Sequence, residues 1–455
     1  MSGSKQPSEF MSRITSDAQH SPVPVATSSD DIVMSNRKSD EVEDDDDDAK
    51  SETSTICYEH EPFETFRYKV ADLVAEKFKC AITDVVTEHI KGGTFNRVVG
   101  VDIRAAKPIR HCFGWVQKLM RTLLGKPAPT AAGAHVVRVA RGDTDELEKQ
   151  IAVLKAVDAR VALPTPHVVH YDLSAHNVLE KPYMVQKRID GRPISHMLEH
   201  LNLEQKKCIA TRFIQLTNQL ASVEAAPGRI SIENLTSSVD EPVRVTKICD
   251  VDEDDVLATP QKSIDHLLEV CQMWRDAQTA SGFCFETIWD GFSVICKSLE
   301  ARGFLKGPCV LVHGDLREYN LLAAITSPST VDITGIIDWD DSCFAPKFMA
   351  FRSPFWLWMT EDSDASCGDD EHEKNAHLNP ASDNDRAVQR VFLENASDEY
   401  KRFAFAPEAF LARRMYGILR SGLYDEWTMS EAEAVIREWA ELHPEDDIHI
   451  GESYM

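Results

Sequence analysis

The 455-residue chain has no run of about 20 apolar residues, the length a helix needs to cross a bilayer. Its opening, MSGSKQPSEFMSR, lacks the apolar core of a secretory leader, so a soluble, cytoplasmic protein is expected. The 11 cysteines, scattered from Cys57 to Cys367, form no CxxC pair and no Cys/His cluster. That argues against structural zinc and for reduced thiols. Positive charge is scarce too: 49 Lys and Arg stand against 75 Asp and Glu, a formal charge of −26. Such a surface repels phosphate backbones, and no nucleic-acid partner is expected. The sequence shows no internal repeat and says nothing of oligomeric state.

What is present divides the chain into regions. Residues 1–57 are rich in Ser, Asp and Pro and hold an almost wholly acidic run from Asp40 to Asp48. Nothing there repays the entropy of ordering, so a disordered acidic tail is expected. Residues 58–190 read as an N-terminal lobe. Phe66, Val70, Leu73, Val74 and Phe78 recur at helical spacing. Strand patterns follow at 85–90, 98–103, 136–140, 168–171 and 183–186, with a helical stretch over 145–157. The spacing predicts a mostly antiparallel sheet packed against a helix. Gly191 marks a change of character, and residues 191–455 read as a larger, chiefly helical lobe. Ile209, Phe213, Leu216 and Leu220 share one helix face. A short strand over 308–312 precedes a hairpin of 321–324 with 333–337, and 398–442 is helical again. The predicted fold class is α+β with two lobes.

Two insertions interrupt this plan. Within 104–134, Arg104, Lys107, Arg110, Lys118, Arg121 and Lys126 surround Phe113, Trp115, Leu119, Leu123 and Leu124 with no acid among them. A basic amphipathic helix over 104–126 suits peripheral contact with an anionic membrane or a partner. Packing back onto the acidic body of the same chain is the commoner fate of such a helix. Residues 361–388 are acidic and poor in apolar side chains, and a mobile loop is expected there.

The chemistry is concentrated in residues 311–342, LVHGDLREYNLLAAITSPSTVDITGIIDWDDS. His313, Gly314 and Asp315 are followed by Asn320 and then, beyond the hairpin, by Asp338, Trp339 and Asp340. Phosphoryl transfer asks for one carboxylate to orient a hydroxyl and accept its proton, and for oxygen ligands to hold Mg²⁺ against phosphates. Asp315 suits the base; Asn320 and Asp338 suit the metal. A second, looser pattern, His170, Asp172 and Asn177 in HYDLSAHN, lacks the glycine after histidine and an I-D-W-D of its own downstream, and it precedes the hinge. Three residues at a fixed spacing arise cheaply by chance, and this copy is set aside.

The segment resembles the aminoglycoside phosphotransferase and choline kinase family, and the stretches from Phe344 to Trp358 and from Arg413 to Trp427 resemble a version of it common in fungal proteins. That family's catalytic loop reads H-G-D-x-x-x-x-N and its metal motif I-D-W-D/E. The resemblance implies a protein-kinase-like fold with ATP and Mg²⁺ as cofactors. It matches Asp315 to the catalytic aspartate, His313 to the loop's structural histidine, Asn320 and Asp338 to the metal ligands, and Asp340 to the second acid. Upstream, Gly92 and Gly93 in KGGTFNRV fall where backbone N–H groups approach the triphosphate. Arg138 falls at the third-strand position that carries a base for the α- and β-phosphates. Lys187 and Ile189 fall on the strand-to-hinge segment whose peptide groups hold adenine.

Two positions depart from the family. Arg138 stands where lysine is usual, which keeps the charge and widens the fork. Gln150 stands where a helix glutamate normally pairs with that base, with Glu146 and Glu148 on other helical faces. The aromatic run 344–358, FAPKFMAFRSPFWLW, reads chiefly as lower-lobe core. The leading expectation is a kinase that moves the γ-phosphate of ATP to a small-molecule hydroxyl, with the acidic charge favouring a cationic acceptor. The alternative is a kinase-like binding or scaffold protein with little activity, which Gln150 favours. A protein kinase is the weakest reading, since D-F-G and A-P-E are both absent.

Overall fold

A computed structural model describes residues 61–90, 96–104, 132–141, 144–237, 241–248, 256–280, 282, 285–359 and 369–448. The expected acidic tail, the loop holding Gly92 and Gly93, and residues 105–131 of the basic insertion lie outside that set.

The upper lobe begins with helix α1 (Phe63–Phe78), whose Phe66, Val70, Leu73 and Val74 face inward. Strands β1 (Val85–His89), β2 (Asn96–Ile103) and β3 (Gly133–Ala140) lead to helix α2 (Thr144–Asp158), then β4 (Val168–Asp172) and β5 (Tyr183–Lys187). The strands form an antiparallel sheet in the order β1-β2-β3-β5-β4. Strand alternation divides its side chains between two faces. Val99, Val101, Ile103, Val137, Val139 and Val185 pack with α1. Ala140 and Met184 face the other way and join Leu147, Ile151 and Leu154 of α2 in the main core. Arg138, between Val137 and Val139, therefore lies on the α2 side of the sheet.

The chain passes Gly191 into β6 (Arg192–Pro193), a two-residue strand that pairs with the lower-lobe hairpin. Helix α3 (Leu203–Ala221) starts at a capping box in which Asn202 and Gln205 each accept from the other's backbone N–H, both at 3.0 Å. Short strands β7 (Glu224–Ala225), β8 (Gly228–Ile230) and β9 (Val245–Thr246) precede helices α4 (Ser263–Ala280) and α5 (Glu286–Ala301). Strand β10 (Cys309–Val312) is buried along its whole length. It is followed by the hairpin β11 (Leu321–Ser327) and β12 (Thr330–Ile336), by β13 (Cys343–Ala345), and by the single-turn helix α6 (Lys347–Ala350). Helices α7 (Asp369–Asn375), α8 (Asp383–Asn395), α9 (Asp398–Phe405), α10 (Pro407–Ser421) and α11 (Glu426–Leu442) complete the lobe. The molecule is thus α+β with two lobes, as the sequence predicts.

Two features differ from expectation. The lower lobe holds a second sheet, β7-β10-β13-β8-β9, of which the sequence reading finds only β10. Its other strands are two or three residues long, too short to show a period. The acidic segment expected as a mobile loop over 361–388 is helical over much of its described part. Ser382 caps α8 by accepting from the Asp385 N–H, and Val388 and Phe392 are buried. Glu373 of α7 is also buried, ion-paired to Arg413 at 2.9 Å and to Arg352. A window poor in apolar residues conceals a carboxylate that is pinned by two guanidiniums.

Candidate active site

Strand β10 delivers the chain to His313, which is 2% exposed. The next residue, Gly314, has φ +90°, and a Cβ there would lie 2.6 Å from both the Cβ and the carbonyl oxygen of Asp341. Only glycine permits so close a turn. His313 Nε2 donates to the Ile337 carbonyl at 3.0 Å, while its Nδ1 accepts the Asp315 N–H at 3.3 Å. This pair of bonds requires the neutral imidazole. Burial pushes its pKa down to about 4, so the ring stays neutral. His313 is a strut between the 313–320 loop and the end of β12.

Asp315 is the most heavily engaged group in the loop. Asn320 Nδ2 donates both to its carbonyl and to its Oδ2, each at 2.9 Å. The Tyr319 hydroxyl donates to its Oδ1 at 2.8 Å. The Asn320 carbonyl accepts the Ile337 N–H at 3.0 Å, which ties the loop to the chain entering Asp338. Burial and the bond to Asp315 together hold the Tyr319 phenol up at about 12.

Asp338 has φ +65°, rare for a residue with a side chain. Burial raises its pKa against the pull of Arg138, and the charges of Asp315 and Asp341 raise it further. Asp340 is raised to about 6, again by burial against Arg138, with Asp338 adding to the rise. Asp338 and Asp340 thus share a poorly solvated space with the Arg138 guanidinium, with Asp315 and Asp341 near enough to add negative charge. Asn320 spends its amide N–H groups on Asp315, so its Oδ1 stays an acceptor. An all-oxygen set with excess negative charge fits a hard divalent cation such as Mg²⁺. Among the described residues no cluster of three or more His, Cys, Asp or Glu could hold a metal by itself. One or two protein ligands plus phosphate oxygens is the ordinary mode for Mg²⁺.

On the upper lobe, Arg138 Nη2 lies 3.5 Å from Asp340 Oδ2. Gln150 does not serve this arginine. Its Oε1 accepts from Asn96 Nδ2 at 2.9 Å, with both side chains buried. Glu146 lies 3.9 Å from Lys149. The acid paired with the third-strand base therefore comes from the lower lobe. Sequence reasoning missed Asn96 and Tyr319. Tyr319 stands inside the catalytic-loop motif at a position the motif leaves open.

At the hinge, the Lys187 N–H donates to the His167 carbonyl at 2.9 Å, so only the carbonyl of Lys187 is left to meet a base. The side chain of Ile189 lies against Gly335, where a Cβ would come 2.5 Å from Ile189 Cγ2. The second pattern, His170, Asp172 and Asn177, forms a local turn. Asp172 accepts from the Ser174 N–H at 2.9 Å and from its hydroxyl at 2.8 Å, while Asn177 Nδ2 donates to the Ser174 and Lys181 carbonyls.

Comparison with known proteins adds three findings. A family model described as "Phosphotransferase enzyme family" matches residues 129–365, just over half of the chain. A curated relative, Clavilactone A biosynthesis cluster protein Y of Ampulloclitocybe clavipes, is 22% identical over 239 residues, covering 49% of this chain and 55% of its own length. The chain thus spans about half of that relative. Among solved structures, the ADP-bound aminoglycoside phosphotransferase APH(2'')-Ib is 13% identical with a TM-score of 0.44, covering 82% of this chain and 98% of its own. The streptomycin–ATP ternary complex of APH(2'')-IIa is 13% identical with a TM-score of 0.43, covering 81% and 95%.

Proposed function

The chain belongs to the phosphotransferase enzyme family, and from that premise we propose that it moves the γ-phosphate of ATP onto a hydroxyl of a small molecule. Asp315 orients the acceptor hydroxyl and takes its proton as the bond to phosphorus forms. His313 holds the loop in register from behind. Asn320 and Asp338 hold Mg²⁺, which when bound would neutralise charge on the phosphates. Arg138 meets the phosphates, with Asp340 as its anchor and as the second acid of the metal motif. Gly92 and Gly93 cradle the triphosphate, and the Lys187 carbonyl and Ile189 N–H receive the base.

One observation carries this reading: Asp315, Asn320 and the chain entering Asp338 belong to a single hydrogen-bonded knot. The acidic body favours an amine-bearing or otherwise cationic acceptor. The test is a thermal shift with Mg·ATP, followed by ADP release over a panel of small alcohols. A rise in melting temperature is expected. Asp315→Ala should abolish turnover and, since it takes one acceptor from the buried Asn320 amide, lower the melting temperature only slightly.

The second reading, a binding or scaffold protein of little activity, is favoured by the engagement of Gln150 with Asn96 instead of with Arg138. No shift and no hydrolysis with Mg·ATP would decide for it.

A further inference from the structure

The two oxygens of Asp315 are not equivalent. Oδ2 is taken by Asn320, which also holds the Asp315 carbonyl, and the Asp315 N–H is fixed on His313. The carboxylate is therefore oriented without help from any further group. Oδ1 receives nothing from Asn320 and is the oxygen left to an acceptor hydroxyl. It is occupied by the phenol of Tyr319 at 2.8 Å. A phenol at neutral pH offers a carboxylate one O–H donor, the same contact an alcohol or a water makes. Tyr319 is 44% exposed, so its ring can swing into solvent without opening a core cavity.

We propose that Tyr319 occupies the proton-accepting oxygen of Asp315 until an acceptor arrives, and so keeps water from being phosphorylated in its place. This rests on the reading of Asp315 as the base. The suppressed reaction is ordinary hydrolysis. A water oxygen would bond to the γ-phosphorus, the bond from that phosphorus to the ADP oxygen would break, and Asp315 Oδ1 would take the water proton. The phenol takes one of the two acceptor directions of Oδ1, so a water is left only the other unless it displaces the phenol. An acceptor that binds through its other groups displaces the phenol, whereas water has no other groups with which to do so. Tyr319 is thus a positioning residue that favours a held alcohol over bulk water.

The alternative role, that Tyr319 merely steadies Asp315, predicts the opposite sign. The experiment is phosphate release from Mg·ATP without any acceptor, measured for the full chain and for Tyr319→Phe, Asp315→Asn and the double variant. Tyr319→Phe keeps the ring and loses only the hydroxyl. It should raise hydrolysis about five- to tenfold, and the double variant should fall to the Asp315→Asn background. Hydrolysis by Tyr319→Phe at or below the parent rate overturns the proposal, as does recovery of the phosphate on Tyr319 itself. A Mg·ATP thermal shift on the parent separates the two levels. A shift with unchanged hydrolysis defeats only the role of Tyr319, whereas no shift defeats the kinase reading along with it.

Discussion

The lower and upper halves of the candidate site are built by different means. Below, the 313–320 loop is tied by many bonds between residues two to five apart, with His313–Ile337, Asn320–Ile337, Ser342–His313 and Ser195–Glu318 among the links that reach further. Above, Arg138 reaches Asp340 across 202 residues at 3.5 Å, and Gln150 meets Asn96 across 54. The lower half is pre-formed by its own short sequence. The upper half needs contacts between distant segments: Gln150–Asn96 forms once β2 and α2 pack, and Arg138–Asp340 only once both lobes face each other. The difference teaches that the setting of Asp315 is largely locally encoded, while that of Arg138 depends on how the lobes meet.

The sharpest way to break this comparison is Asp315→Asn. It should lower turnover by roughly a thousandfold, read as ADP release, because the amide cannot take a proton. Its melting temperature should barely move, since Asn320 can still bond the replaced side chain.

The next largest effect concerns stability in the lower lobe. Glu373→Gln would leave Arg413 and Arg352 without their buried counter-charge and should cost about 3 kcal/mol in denaturant unfolding. The same carboxylate gives a pH signature. Burial alone would raise its pKa, but Arg413 and Arg352 more than offset this and hold it at about 2, below the ordinary 4.5. Its contribution is fully present above about pH 4.5 and is lost as pH falls toward 2. Melting temperature should therefore fall across that window in the parent and fall less steeply in Glu373→Gln.

The upper half should respond more mildly. Gln150→Ala would leave the buried Asn96 amide without its acceptor and should cost ~1–2 kcal/mol in thermal unfolding. Smallest of all, Arg138→Lys keeps the charge but loses the fork. It should weaken Mg·ATP binding about threefold by calorimetry. A large loss there, with Gln150→Ala silent, would invert the comparison.

Legibility in the sequence follows the same division. The upper sheet was readable because its strands are long enough to alternate; the 98–103 pattern became β2 with two more residues at its start. The 313–320 loop was readable as one unit because its spacing is local. The partners of Gln150 and Arg138 were not, since nothing in a sequence window links position 96 to 150 or 138 to 340. The acid that pairs with Arg138 was looked for on α2 and is Asp340, beyond the β11–β12 hairpin. The left-handed turn at Asp338 was equally hidden, since aspartate carries no glycine-like signal. Tyr319 could have been noticed, because a hydroxyl adjoining Asn320 in the loop stands within reach of Asp315.

The crossing between the lobes carries one last consequence. Gly191, at φ +121°, runs so close to the hairpin that a Cβ would strike Thr334 Oγ1 and the Ala323 backbone, and Ile189 fills the space above Gly335. β6 then pairs with β11. Residues 189–193 therefore move with the hairpin, and any tilt of the upper sheet must be taken up before Ile189. Opening and closing would change the reach of Arg138, yet the span from Ile189 to the carboxylates at 338 and 340 would stay constant, a fixed gauge for the length of whatever lies along it.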